Sequence, residues 1–120
     1  MTVNVPVREL VDNVSLPFER ARAMPPSVYT SEEFLKAELK DVFARDWVCV
    51  GRASGLKAPG DYIAYELAGE PIVVLRDGQG ALRAMSNVCR HRMSTLLEGQ
   101  GSTRAIVCPY HGWTYNLDGS

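Results

Sequence analysis

The apolar positions of the chain change period as it is read, and each change marks an element. Residues 1–27 hold no sustained period and carry Pro6, Pro17, Pro25 and Pro26, so this stretch reads as an extended arm. At Thr30-Ser31-Glu32-Glu33 a threonine stands three residues before a glutamate, the pair that satisfies free backbone donors at a helix start. Leu35, Leu39, Val42 and Phe43 then recur at three-to-four spacing, which predicts one helix to about Arg45 with its apolar face packed on a core. From Trp47 the period shortens. Trp47-Val48-Cys49-Val50 is a short apolar run ended by Gly51 and predicts a strand, and Pro59-Gly60 marks a turn. In residues 61–67, Ile63, Tyr65 and Leu67 share one face, whereas residues 71–76 are apolar throughout and suggest a strand covered on both sides. Ala68-Gly69-Glu70 is the turn between them. Asp77-Gly78-Gln79-Gly80 has hairpin chemistry, its glycines suited to positive φ, and residues 81–87 supply the returning strand. Residues 47–87 therefore predict a β meander.

With 120 residues, 46% of them hydrophobic and 22% charged, the chain is sized for one globular domain and is neither fibrous nor disordered. A formal charge of −1 lacks the broad cationic footprint of a nucleic-acid binder. The longest apolar run, Ile72-Val73-Val74-Leu75, falls far short of the roughly 18 residues of a membrane span. The first ten residues are interrupted by Asn4, Pro6, Arg8 and Glu9 and form no signal-peptide apolar region, so a cytoplasmic location is expected. Three cysteines, an odd number, then point to metal binding or core packing, and Cys49, inside an apolar run, is expected to be a small buried hydrophobe. No repeat, heptad or phosphate-cradling loop is present, and Gly99 and Gly101 read as turn glycines.

Candidate chemistry is concentrated in two short segments. The first is Asn87-Val88-Cys89-Arg90-His91-Arg92; sixteen residues after His91 comes Cys108-Pro109-Tyr110-His111-Gly112-Trp113. Both histidines of the sequence and two of its three cysteines lie there. Thiolates and imidazoles offered by two tight loops are what a metal site needs. Two metals remain open: a zinc ion in a Cys₂His₂ set, and a pair of irons bridged by sulfides, with two thiolates on one iron and two imidazoles on the other. Cys-x-His is shorter than the usual spacing of zinc knuckles, and one thiol plus one imidazole per loop suits the divided iron pair.

Cys-x-His, sixteen residues, Cys-x-x-His resembles the Rieske iron–sulfur motif. The resemblance implies that Cys89 and Cys108 hold a buried iron of a [2Fe-2S] cluster and that His91 and His111 hold the outer iron, where the added electron sits. Neutral imidazole in place of thiolate raises the potential toward roughly −150 to +300 mV. Rieske proteins of respiratory complexes carry an extra cysteine in each loop; Ser94 and Tyr110 stand at those places here, so that disulfide is absent. Trp113 replaces the serine that raises the potential there, which implies the low end of the range.

The two segments, with Thr114-Tyr115-Asn116-Leu117-Asp118-Gly119, look like those of the α subunits of Rieske non-heme iron oxygenases, over about residues 28–120. Met93 departs from the pattern, since many relatives have glycine there. The implied fold is mostly β, an antiparallel β sandwich with two cluster-binding loops (47–120) behind an N-terminal arm and one helix (1–46). The implied role is electron entry for an enzyme that uses dioxygen to hydroxylate or demethylate a small substrate, with a ferredoxin or flavin reductase as donor. A homotrimer is implied as well.

Dioxygen in that family reacts at a mononuclear Fe(II) held by two histidines and a carboxylate; both histidines here are taken, so this chain alone is not expected to turn over substrate. Because the sequence stops at a hairpin signal, Asn116-Leu117-Asp118-Gly119, a catalytic domain is expected to follow it. The alternatives are a free-standing Rieske ferredoxin, whose chain normally begins close to the first strand, and a zinc-stabilised binding module.

Lesser residues complete the reading. Arg83, Arg90, Arg92 and Arg104 face one acid, Glu98, between residues 81 and 116, which predicts a positive surface able to steer an acidic donor. Trp113 and Tyr115 are expected to order the second loop over the cluster, and Pro109 and Gly112 to shape its turn. Pro25-Pro26-Ser27-x-Tyr29 and the loop pattern lean toward monooxygenases of small ammonium compounds.

Overall fold

The computed structural model describes residues 5–120, which divide into two units between Trp47 and Val48. The first unit is helical where an extended arm was expected. It holds α1 (Val5–Val14), a 3-10 turn (Phe18–Arg20), α2 (Pro26–Thr30) and α3 (Glu32–Glu38), which widens into a π turn (Leu39–Phe43). Val7, Leu10, Val11 and Val14 carry a helical period, and the prolines that hid it are boundary marks. Pro6 stands in the first turn of α1, where no intrahelical N–H is required, and Pro26 opens α2. Ser27 Oγ donates to the Glu9 carboxylate at 2.9 Å and links α2 to α1.

The expected helix start is displaced by one residue. Ser31 Oγ accepts from Phe34 N at 3.1 Å and caps α3, while Thr30 closes α2. Phe34 is the buried residue of α3, and Leu35, Val42 and Phe43 stay exposed instead of forming the expected packed face. The π turn, closed by Ala44 N to Leu39 O at 3.0 Å, adds a residue to one turn and moves Val42 and Phe43 off the stripe.

The second unit is mostly antiparallel β, as expected. A four-stranded sheet has the order β3-β2-β1-β4, from β1 (Asp61–Leu67), β2 (Glu70–Arg76), β3 (Leu82–Ser86) and β4 (Gln100–Ser102). β5 (Ile106–Val107) and β6 (Thr114–Tyr115) form a separate pair. The run at 47–50 is not a strand: an apolar segment becomes one only where a neighbour supplies its ladder, and among the described residues none pairs with it. Trp47 is wholly exposed and Cys49 is exposed as well, so the expectation of a buried Cys49 is corrected.

The meander follows its turn chemistry. Ala68 (φ 54°) and Gly69 (φ 84°) are both left-handed, the conformation of a two-residue hairpin between twisted strands. In the β2–β3 turn Gly80 has positive φ and Gly78 does not. That turn is built on the fully buried Asp77, whose Oδ1 accepts from Gln79 N (3.0 Å) and Ala81 N (2.8 Å) and whose Oδ2 accepts from Arg83 Nε (2.8 Å). Arg83 is the largest influence holding the Asp77 carboxyl below its ordinary pKa, with the two backbone donors adding to it against burial.

Val73, Leu75 and Ile106 form the core, with Tyr62, Met85, Leu96, Leu97, Tyr115 and Leu117 packed around them. β2 is therefore covered on one face, and its other face, with Ile63, Tyr65 and Val74, borders an open groove of about 680 Å³ instead of a second packed layer. Gly101 lies in β4, not in a turn: it pairs with Tyr62, whose ring would stand 3.1 Å from an added Cβ.

Candidate metal centre

Two loops project from this scaffold, one between β3 and β4 and one between β5 and β6. They close in the same way. In the first, Met93 N donates to Cys89 O (2.9 Å) and Cys89 N to Ser94 O (2.8 Å); in the second, Gly112 N donates to Cys108 O (3.0 Å) and Cys108 N to Trp113 O (2.7 Å). Each loop is thus a tight turn that begins at its cysteine, and the fourth residue after each cysteine is left-handed: Met93 at φ 56°, Gly112 at φ 73°. The second loop fills that position with the residue that takes it without a steric penalty. The first uses methionine, at a cost of about 1–2 kcal/mol that glycine would not incur.

The base of the first loop is fixed by Asn87. Its amide Nδ2 donates to Leu97 O at 2.7 Å, and its Oδ1 accepts from Leu97 N at 3.0 Å. Its backbone adds two bonds, to Pro71 O (2.8 Å) and from Leu96 N (3.0 Å). Asn87 is buried, so one side chain answers both polar groups of the half-buried Leu97. Val88 and Thr95 bridge just above it.

The four candidate ligands occupy two kinds of place. Cys89 and Cys108 are 1% and 3% exposed, whereas His91 and His111 are both exposed. The two imidazoles stand 4.9 Å apart, centroid to centroid, at 60°. Trp113 lies nearly parallel to the His91 ring, 7° between planes at 4.9 Å, and Tyr110 lies against His111 at 3.9 Å.

Tyr115, on β6, reaches across to the first loop: its Oη lies 3.2 Å from Cys89 Sγ and accepts from Arg90 N at 3.1 Å. A thiolate at Cys89 has no proton to give, so toward that form the phenol is the donor. The bond with Tyr115 is the largest influence lowering the Cys89 thiol pKa; burial opposes it, and backbone N–H groups of His91 and Arg92 and the Cys108 thiol reinforce it. The same bond raises the Tyr115 phenol above its ordinary value.

Among the described residues there is no group of three or more His, Cys, Asp or Glu side chains that could hold a single metal ion. Two buried sulfurs, one of them with its thiol pKa lowered, and two exposed imidazoles fit a pair of irons with different donors better than one tetrahedral ion. Of the four arginines expected to charge this surface, Arg83 is paired with Asp77, while Arg90, Arg92 and Arg104 are exposed. Asn87 and Asp77 were not singled out from sequence; the available signal was a lone amide between the end of a strand and the first cysteine.

The β scaffold thus presents two cysteine–histidine loops side by side, the donor types of a metal centre. Residues 46–120 match the Rieske [2Fe-2S] domain family, more than half of the chain, and the chain belongs to that family. It is 44% identical over 101 residues to the carnitine monooxygenase oxygenase subunit of Acinetobacter baumannii, covering 83% of this chain and 27% of that protein. To the chloroplastic choline monooxygenase of Beta vulgaris it is 41% identical over 123 residues, covering 99% of this chain and 28% of that one. A solved quaternary ammonium Rieske monooxygenase, described for carnitine oxidation and inter-subunit electron transfer, superposes with a TM-score of 0.75 at 45% identity, covering 80% of this chain and 27% of the other. The chain spans a little over a quarter of the length of these relatives.

Proposed function

We propose that this chain is the electron-entry module of a Rieske non-heme iron oxygenase, in which Cys89 and Cys108 hold one iron of the [2Fe-2S] cluster and His91 and His111 the other. The observation that carries the reading is the division of the donors, both sulfurs buried and both imidazoles exposed, one of each per loop. When bound, the cluster supplies a one-electron store whose potential is raised by its neutral imidazole ligands.

The chain's own residues do the rest. The Tyr115 hydroxyl and the N–H groups of His91 and Arg92 offset negative charge at the Cys89 sulfur, and Asn87 fixes the loop that carries it. The exposed imidazoles are the atoms a redox partner can approach. Arg90, Arg92 and Arg104 favour an acidic ferredoxin or flavin reductase as donor. Residues 1–46 are the N-terminal arm and helix region and 47–120 the Rieske domain, a division supported by the separation of two units after Trp47.

Dioxygen activation needs a mononuclear iron with two further histidines and a carboxylate, so in this reading it belongs to polypeptide outside the present sequence. The whole enzyme acts on a small quaternary ammonium compound, a reading supported by the carnitine and choline monooxygenases among the relatives. It works as a homotrimer, and the inter-subunit electron transfer described for the solved relative supports assembly from several copies. A cytoplasmic location belongs to the same reading. No described helix is long and apolar enough to cross a membrane.

The test is oxygen uptake by the full-length protein with NADH and a reductase. Uptake that depends on carnitine, choline or glycine betaine is expected. Uptake with an arene and none of these would overturn the substrate class, and a cluster that cycles with no substrate-dependent uptake would mark a carrier.

A further inference from the structure

No disulfide ties the two loops, since all three cysteines are free. Their internal hydrogen bonds close each loop on itself, and the bond from Tyr115 secures the Cys89 end of the first loop. His91, two residues further on, is exposed and lies beyond that bond, and a second contact reaches its ring. The indole of Trp113, carried by the second loop, lies flat along it at 4.9 Å and 7°. Trp113 is itself anchored, because its carbonyl accepts the 2.7 Å bond from Cys108 N that closes its loop. An indole held by its own backbone and stacked on a neighbour's imidazole fixes the plane of that imidazole and covers one of its faces from water.

We propose that Trp113 is a positioning residue for His91: from the neighbouring loop it sets the rotation of this imidazole about its bond to the cluster iron. The inference rests on the assignment of His91 as a ligand. A ligand's ring plane controls its overlap with the metal, and partners that fix such rings are commonly worth about 10–100-fold in metal retention. Tyr110 touches His111, its neighbour in sequence, at 3.9 Å, and so cannot join the loops.

The experiment is pulsed EPR of the dithionite-reduced protein with ¹⁵N-labelled histidine, alongside the rate of cluster loss to an iron chelator. Trp113→Leu keeps an apolar side chain and removes the flat ring; Trp113→Phe keeps a ring. In the parent protein two imidazole couplings are expected. The leucine variant is expected to shift the His91 coupling, leave that of His111 in place, and lose its cluster about tenfold faster. The phenylalanine variant is expected to recover most of both properties. Unchanged couplings and retention in Trp113→Leu, or a phenylalanine variant no better than leucine, would overturn the proposal. A reduced cluster in the parent protein with no imidazole coupling would remove the ligand assignment, and the proposal with it.

Discussion

Replacing Asn87 by alanine removes a side chain that touches neither iron nor substrate, yet the structure ties the first loop to it. The amide makes two bonds to one residue, Nδ2 to Leu97 O at 2.7 Å and Leu97 N to Oδ1 at 3.0 Å, from a buried position. A buried polar group left without its partner costs about 1–3 kcal/mol. Two such groups are orphaned at once, and because Leu97 is only partly buried, some water can reach them. Asn87→Ala should therefore destabilise the fold by about 2–4 kcal/mol, a large share of the 5–15 kcal/mol that holds a typical domain together.

Asn87→Asp separates the hydrogen-bond argument from mere loss of volume. It is nearly isosteric and keeps the acceptor for Leu97 N, but it sets a carboxylate against Leu97 O. Burial and the facing carbonyl raise the pKa of that carboxyl above its unfolded value, so protonation restores a donor and the variant should regain stability as pH falls from 7 to 5. The assay is guanidinium unfolding followed by far-UV circular dichroism at the two pH values. A loss under 1 kcal/mol for the alanine variant, or an aspartate variant indifferent to pH, would refute the reasoning.

Three further outcomes follow from the geometry. Tyr115→Phe removes the hydroxyl that donates to the Cys89 sulfur; since that bond favours the more negative, reduced cluster, the potential should fall by on the order of tens of millivolts in a potentiometric titration. Met93→Gly should hold or raise the melting temperature, because relief of the left-handed strain at φ 56° offsets the entropy of glycine, whereas Met93→Val, β-branched at the same φ, should lower it. The Asp77 carboxyl titrates below its unfolded value because Arg83 and the turn N–H groups favour its charged form. The unfolded chain thus binds more protons in acid, and this contribution is present above about pH 4 and lost as pH falls through the folded pKa. Arg83→Gln should flatten the acid limb of the stability profile, as measured by thermal unfolding at stepped pH.

Particular residues show what was legible in the sequence. The strands of the meander could be read because Ile72 to Leu75 are β-branched or aliphatic and the turns at Ala68-Gly69 and Asp77 to Gly80 carry their chemistry locally. The candidate ligands could be read because both histidines sit beside cysteines at short spacing. α1 was hidden by Pro6 and Pro17, whose meaning depends on whether they fall inside a helix or at its ends. The run at 47–50 has strand composition, but pairing is a property of two segments. The Asn87 clamp, the reach of Tyr115 to Cys89 and the stack of Trp113 on His91 each join residues 10 or more apart in sequence, and no local pattern encodes such partners. Met93 was visible only as a departure; its left-handed φ shows what the departure costs.

The proposed function stands or falls on the division of a pair of irons between two buried cysteines and two exposed histidines. Its most direct measurement is iron, zinc and acid-labile sulfide per chain on anaerobically purified protein, joined to an EPR spectrum after dithionite reduction. The account predicts two irons, two sulfides and a rhombic signal with an average g below the free-electron value, with the signal lost in Cys89→Ser and in His111→Ala. One zinc per chain with no sulfide, or an unaltered signal in either variant, would contradict it.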